Sequence, residues 1–255
     1  MSAIGVIPAR YGSMRFPAKM LADLHGKPLV LRTVARVRQA RLLDEVLLAT
    51  DDARIAQVAA DAGVAVVMTR ADHPSGTDRI AEAVAARNAD IVVNIQGDEP
   101  FMDPDLIDAL VRRMQEIPDL EMATAATPIV EAAALLDPSV VKVVCTDAGF
   151  AMYFSRSLIP FSRDAAPETL LTQAVYFRHL GIYAYRRDFL LGLVTHPPHP
   201  LEMIEKLEQL RALALGARIA VIPTVQPAPG VDTPEDLETA RGFFLEHEKN
   251  MGEEG

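Results

Sequence analysis

The sequence predicts an α/β fold, a doubly wound, mostly parallel, Rossmann-like sheet with an antiparallel hairpin subdomain added at one edge. Three observations predict it. Short apolar runs at 3–7, 46–49, 64–68 and 91–95 alternate with helical patterns at 28–40, 53–62, 78–87 and 104–116, the β-α-β-α rhythm of a parallel sheet. From residue 122 the texture changes to strand-like pieces separated by tight turns. The 255 residues, 50% of them hydrophobic, are enough to build one large domain with a smaller subdomain inserted, so 1–255 reads as a single domain.

Taken in order, the apolar run at 3–7 is too short for a helix, and Pro8, which lacks an N–H, is expected to close that strand. A Gly/Pro loop follows, and helical periodicity resumes at 28–40. Right-handed crossovers would carry the functional loops to the ends of the strands at 3–7 and 91–95. Pieces at 122–126, 140–145, 150–154 and 181–185, with a turn at Asp147-Ala148-Gly149, read as hairpins spanning about 122–190. A long helix is expected over 200–215, stopped by Gly216, then a strand over 218–222. Thr233 as N-cap, Pro234 at the first helical position and acids in the first turn open a last helix, and the polar residues after 247 predict a frayed end.

The formal charge of −10 sets a field that repels a nucleic-acid backbone, and no strongly basic face offsets it. No apolar stretch approaches the roughly 20 residues that span a bilayer, and the first residues lack the layout of a signal peptide. The expectation is a cytoplasmic protein that binds neither nucleic acid nor membrane. The single cysteine, Cys145, excludes an internal disulfide, and its neighbours Val143 and Val144 mark it as a buried, inert thiol.

Four segments carry chemistry. The loop behind the first strand bears Arg10, Arg15 and Lys19, cations that reach nucleotide phosphates with charge-assisted hydrogen bonds. It lacks the G-x-G-x-x-G fingerprint, which argues against a nicotinamide or flavin enzyme. Gln96-Gly97-Asp98-Glu99-Pro100 follows the strand at 91–95 and lies on the same sheet edge. A carboxylate beside a phosphate site points to Mg²⁺, which takes one or two carboxylates plus water and substrate oxygens; the alternative is a capped turn. Asp232 is a second candidate ligand, although Asp before Thr-Pro is also a common helix entry. The polar loop Arg70 to Arg79 offers hydroxyl and backbone groups for a base or ribose.

Together these segments resemble the 3-deoxy-manno-octulosonate cytidylyltransferases nearly end to end. The resemblance rests on I-P-A-R-Y-x-S-x-R-x-P-x-K at 7–19, M-T-R-x-D-H-x-S-G-T at 68–77, N-x-Q-G-D-E-P at 94–100 and Y-F-S-R at 153–156. It continues through R-H-L-G-I-Y at 178–183, L-E-Q-L-R at 207–211 and V-D-T-P-E-D-L-E at 231–238. Phe16 and Ala18 stand where the family usually has Leu and Gly, and Ala takes left-handed backbone angles less cheaply than Gly. The resemblance implies a fold of the nucleotide-diphospho-sugar transferase type, CTP and KDO (3-deoxy-manno-octulosonate) as substrates, Mg²⁺ as cofactor and a homodimer. It implies that Arg10, Arg15 and Lys19 hold the CTP phosphates, that Pro8, Ala9, Arg70, Ser75 and Gly76 contact base or ribose, and that Asp98 and Asp232 hold the metal. The sugar-acid pocket maps to Gln96, Arg156, His179, Tyr183, Glu208 and Gln209. By residue pattern alone, His179 and Tyr183 also fit a half-buried strand pair, and Glu208-Gln209 an exposed helix face. The rival readings are a cytidylyltransferase for 8-amino-KDO or a sialic acid, and a non-catalytic nucleotide-binding protein on the same fold.

Overall fold

The computed structural model describes residues 1–12, 15–224 and 230–252. The chain begins with β1 (Ala3–Ala9), a 3-10 turn (Lys19–Leu21), β2 (Asp23–Leu24), β3 (Lys27–Pro28), α1 (Leu29–Val37), β4 (Glu45–Thr50), α2 (Ala53–Asp61), β5 (Ala65–Met68) and α3 (Gly76–Val84). It continues with β6 (Ile91–Asn94), α4 (Pro104–Glu116), β7 (Met122–Pro128), α5 (Ala132–Leu136), β8 (Lys142–Cys145), β9 (Ala151–Ser155) and a second 3-10 segment (Pro167–Gln173). The last elements are β10 (Phe177–Arg186), α6 (Arg187–Leu193), α7 (Pro200–Glu205), α8 (Gln209–Ala214), β11 (Ile219–Pro223) and α9 (Pro234–Gly252). Two compact units result: a first of Ala3–Asn88, Asn94–Asp108 and Ala228–Gly255, and a second of Met1–Ser2, Ala89–Val93 and Ala109–Pro227. The class is the mixed α/β one that the alternation predicts.

In the first unit β1 pairs with β4 and β4 with β5, all parallel, with Val6 opposite Leu47 and Leu48 opposite Val66. Ile7, Leu47 and Leu48 are fully buried, as expected of strands covered on both faces that therefore read as unbroken apolar runs. Pro8 does not close the strand. Pro8 and Ala9 pair on with Ala49 and Thr50, because one missing donor does not end a ladder whose flanking residues continue it. The helix expected at 78–87 instead runs from Gly76 to Val84, its start set by Ser75, whose hydroxyl accepts the Asp78 N–H and donates to the Asp78 carboxylate at 2.6 Å. α9 begins as expected, with the Thr233 hydroxyl accepting the Asp236 N–H and the Asp236 carboxylate accepting the Thr233 N–H at 2.8 Å. Its backbone stays helical to Gly252, beyond the frayed end expected after 247; residues 253–255 lie outside the described residues.

In the second unit β10 runs antiparallel to β7 and β8, β8 antiparallel to β9, and β11 parallel to β7, so the hairpins expected after residue 122 are present. The β8–β9 turn closes with the Thr146 N–H on the Phe150 carbonyl, and Gly149 supplies the positive φ of 78°. The single helix expected over 200–215 is two short helices. Lys206 adopts left-handed angles (φ 55°) and ends α7. The cause lies 50 residues upstream, where the Arg156 guanidinium binds the Glu205 carbonyl at 2.7 Å and contacts that of Lys206, both acceptors that an unbroken helix would use internally. Gly216 (φ 85°) does stop α8, with the Ala217 N–H returning to the Ala212 carbonyl. Cys145 is half-buried rather than buried, and burial pushes its thiol pKa up, so it remains inert. No helix among the described residues is long and apolar enough to cross a membrane.

Candidate functional site

The first unit joins three distant loops. After β6, the Ile95 N–H donates to the Val6 carbonyl, laying 95–100 along β1. Thr33 of α1 anchors this loop by donating to the Gly97 carbonyl at 2.9 Å, and the Asp98 carbonyl accepts the Val231 N–H at 2.9 Å, which draws in the entrance to α9. Beneath them Leu24, Leu29, Val231, Leu237 and Ala240 form one apolar cluster, on which Phe16 packs. The approach needs glycine at 97: a Cβ there would lie 3.0 Å from Met20 Sδ and 3.2 Å from the Pro8 carbonyl. Gly97→Ala is expected to cost about 1–3 kcal/mol by overpacking, read as a lower urea midpoint at unchanged slope.

Lys19 is the centre of this arrangement. Its Nζ lies 2.5 Å from Asp98 Oδ2 and 3.0 Å from Asp232 Oδ1, and Arg15 Nη2 lies 3.0 Å from the same Asp232 oxygen. The Lys19 side chain is only 7% exposed, so two carboxylates are what permit a cation there. Ala18, just before it, adopts φ 57°, the left-handed geometry for which Gly is cheaper. Four of the expected residues, Arg15, Lys19, Asp98 and Asp232, thus converge, whereas Arg10 is exposed at the end of β1. Ser13 and Met14 lie outside the described residues.

Pro8 and Ala9 are buried at the carboxyl end of β1, and a Cβ on Gly76 would lie 3.6 Å from Pro8 Cγ, so the start of α3 rests against Pro8. Arg70 is exposed, with its N–H donating to Glu82 at 3.1 Å. Glu82 also pairs with His73; that hydrogen bond, then the Arg70 N–H, holds its carboxyl below the usual range despite partial desolvation. Gln96 is half-buried two residues before Asp98, its amide 3.5 Å from Asn94 Oδ1.

In the second unit β10 and the α7–α8 junction gather the other expected polar residues. The rings of His179 and Tyr183 lie 5.4 Å apart, and Phe154 packs edge-on to His179 at 5.0 Å. His179 is 8% exposed, and burial lowers its pKa to about 3, so the ring is neutral. Burial, reinforced by Tyr185 and Glu208, pushes the Tyr183 phenol well above its usual range, which places Glu208 within electrostatic reach of it. Gln209 is 3% exposed, and its Nε2 has no hydrogen-bond partner among the described residues. An orphaned buried amide in native structure calls for a ligand or water. Neither Glu208 nor Gln209 lies on a plain exposed helix face, since Glu208 is half-buried and Gln209 buried.

Arg156 fastens the junction. Its side chain donates to the carbonyls of Glu205 and Pro138, and its N–H donates to the Glu205 carboxylate, which also accepts the Ser155 hydroxyl at 2.7 Å. The fully buried Lys142 donates to the carbonyls of Asp137 and Arg156, and desolvation outweighs the pull of Asp137 to lower its pKa. Sequence reasoning missed Glu205, Glu82 and Thr124, and gave Lys142 no role. No spacing signal marks the first three, because each acts through a contact distant in sequence.

Among the described residues no three His, Cys, Asp or Glu side chains cluster closely enough to hold a metal by themselves. Asp98 and Asp232 nevertheless flank a cation, the Lys19 ammonium, with hard oxygen donors only. That donor set fits Mg²⁺, which leaves its remaining positions to water and phosphate oxygens, and does not fit a metal that prefers thiolate or imidazole ligands.

A family model described as Cytidylyltransferase matches residues 4–219. The chain is 50% identical over 241 residues to a 3-deoxy-manno-octulosonate cytidylyltransferase of Solibacter usitatus, covering 94% of each chain. It is 49% identical over 240 residues to the protein of that name from Syntrophotalea carbinolica, covering 93% of this chain and 96% of the relative. Among solved structures, CMP:2-keto-3-deoxy-manno-octonic acid synthetase complexed with CTP superposes with a TM-score of 0.91 at 42% identity, covering 97% of this chain and all of the other.

Proposed function

The chain belongs to the cytidylyltransferase family, and we infer that it transfers CMP from CTP to KDO, releasing pyrophosphate. The observation that carries this reading is the convergence of Lys19 and Arg15 with the carboxylates of Asp98 and Asp232 at the loop behind β1. The anomeric hydroxyl of KDO attacks the α-phosphorus; an O–P bond forms, the α–β phosphoanhydride breaks, pyrophosphate leaves and the hydroxyl proton passes to solvent. Lys19, Arg15 and Arg10 neutralise the triphosphate, and reactions of this kind gain chiefly from positioning and charge stabilisation. Asp98 and Asp232, which here hold the Lys19 ammonium, would hold Mg²⁺. Bound there, the ion would supply charge neutralisation and lower the hydroxyl pKa.

Pro8, Ala9, Arg70, Ser75 and Gly76 meet the base and ribose. Arg156, His179, Tyr183, Glu208 and Gln209 of the second unit meet the sugar acid, and the orphaned Gln209 amide supports that assignment by lacking a partner among the described residues. The product feeds lipopolysaccharide biosynthesis in the cytoplasm. The protein works as a homodimer that covers Val130, Leu136, Met152 and Phe161, all strongly exposed apolar side chains of the second unit; a monomer by light scattering at micromolar concentration would overturn this. Pyrophosphate release from CTP and Mg²⁺ with KDO, 8-amino-KDO or N-acetylneuraminate tests the reaction. KDO-dependent release supports it, and release only with another acceptor overturns the sugar half.

Arg156→Ala tests one assignment separately. It is expected to raise KM for KDO at least tenfold with KM for CTP unchanged. The melting temperature should also fall, because the Glu205 and Pro138 carbonyls lose their donor. A rise in KM for CTP alone contradicts the assignment.

A further inference from the structure

Thr124, on β7, is fully buried, and its hydroxyl has three neighbours: the Ile182 carbonyl at 2.8 Å, the Leu180 carbonyl at 3.2 Å and His179 Nε2 at 3.0 Å. Those carbonyls belong to an irregularity in β10. Leu180 is opposite Ala125 and Tyr183 opposite Thr124, so Gly181 and Ile182 have no counterparts and the ladder is interrupted there. A hydroxyl has one proton and two lone pairs. Carbonyl oxygens only accept, so the Thr124 proton must go to Ile182 or Leu180; otherwise 2.8 Å would separate two oxygens with no hydrogen between them. The Thr124 oxygen then has only lone pairs to offer His179, and Nε2 must carry the ring's proton. In a neutral ring this leaves Nδ1 without a proton, as an acceptor.

We propose that Thr124 is a positioning residue: it fixes His179 in the Nε2–H tautomer, so that Nδ1 accepts a hydrogen bond from a hydroxyl of the bound sugar acid. This rests on the placement of His179 in the KDO pocket. The backbone around the ring is fixed from both sides, by the His179 N–H on the Val141 carbonyl and by the pairing of His179 with Ala126 of β7. The ring therefore depends on Thr124 for its protonation pattern and not for its location.

The test uses the whole enzyme labelled with ¹⁵N-histidine, with the His179 signals assigned by their loss in His179→Gln. In the wild type at neutral pH, ¹⁵N–¹H correlations should show Nε2 protonated and Nδ1 unprotonated; a protonated Nδ1 overturns the proposal. Thr124→Val should raise KM for KDO on the order of tenfold, the effect of misplacing one hydrogen bond, with KM for CTP unchanged, and Thr124→Ser should restore it. An unmoved KM for KDO, or equal losses for both substrates, overturns the role in recognition. Should Thr124→Val not fold, the wild-type spectrum and the Thr124→Ser kinetics decide. Failure of the KDO reading itself appears separately, as wild-type enzyme that shows no KDO-dependent pyrophosphate release.

Discussion

Asp98→Asn is expected to lower kcat by on the order of a hundredfold or more while leaving the fold in place. The amide keeps the shape of the side chain, and the contact that holds the loop, the Asp98 carbonyl accepting from Val231, belongs to the main chain. What is lost is one of two charges. Asp98 is the better protected of the pair, 23% exposed against 52% for Asp232, so its charge is less screened and its removal costs more. Asp232→Asn should therefore lower kcat by a smaller factor. Chelation of Mg²⁺ should abolish turnover in the wild type, and added Mg²⁺ should restore it. Pyrophosphate release gives kcat, and a thermal melt separates lost chemistry from lost structure, since Lys19 keeps only one anionic partner in the variant. Near-normal turnover of Asp98→Asn would remove Asp98 from the metal site.

The parallel half of the fold is legible in the sequence because its strands are covered on both faces and so appear as unbroken apolar runs such as Val46 to Ala49. The entrance to α9 is legible because Thr233, Pro234 and Asp236 do their capping within four residues. What failed was governed by distant contacts. The residues of 200–215 have helical preferences throughout, and only Arg156 on another element takes the carbonyls that would have continued the helix. The short α5 and α6 escaped for a different reason, because five or seven residues give a 3.6-residue period too little length to register. The site divides the same way. Its charged residues lie in recognisable loops, but Thr124 reads as an ordinary β-branched strand residue, and only the unmatched Gly181 and Ile182 reveal what its hydroxyl does.

Below about pH 6.5 the wild type should lose stability more steeply than His179→Gln, and the sign follows from where the proton goes. The unfolded chain protonates this histidine near pH 6.5, whereas burial lowers the folded value to about 3. Between those limits the unfolded state binds one proton more, so acid favours unfolding by about 1.4 kcal/mol per pH unit, and the stability is fully retained above the unfolded value. The lowered carboxylates Asp52, Glu82, Asp137 and Asp236 lose their contributions mainly below the usual carboxylate range. The interval from pH 6.5 to 4.5 therefore isolates the histidine, and urea titrations there should show the wild type losing about 2–3 kcal/mol more than the variant. Gln at 179 retains an amide donor for Thr124 but cannot titrate. Equal losses in the two proteins would mean that His179 is charged or hydrated in the folded state, and with that the neutral hydrogen-bonding ring of the sugar pocket would fall. A ring that stays neutral throughout this interval supplies no cation for the carboxylate of KDO, which accords with the role proposed for Arg156.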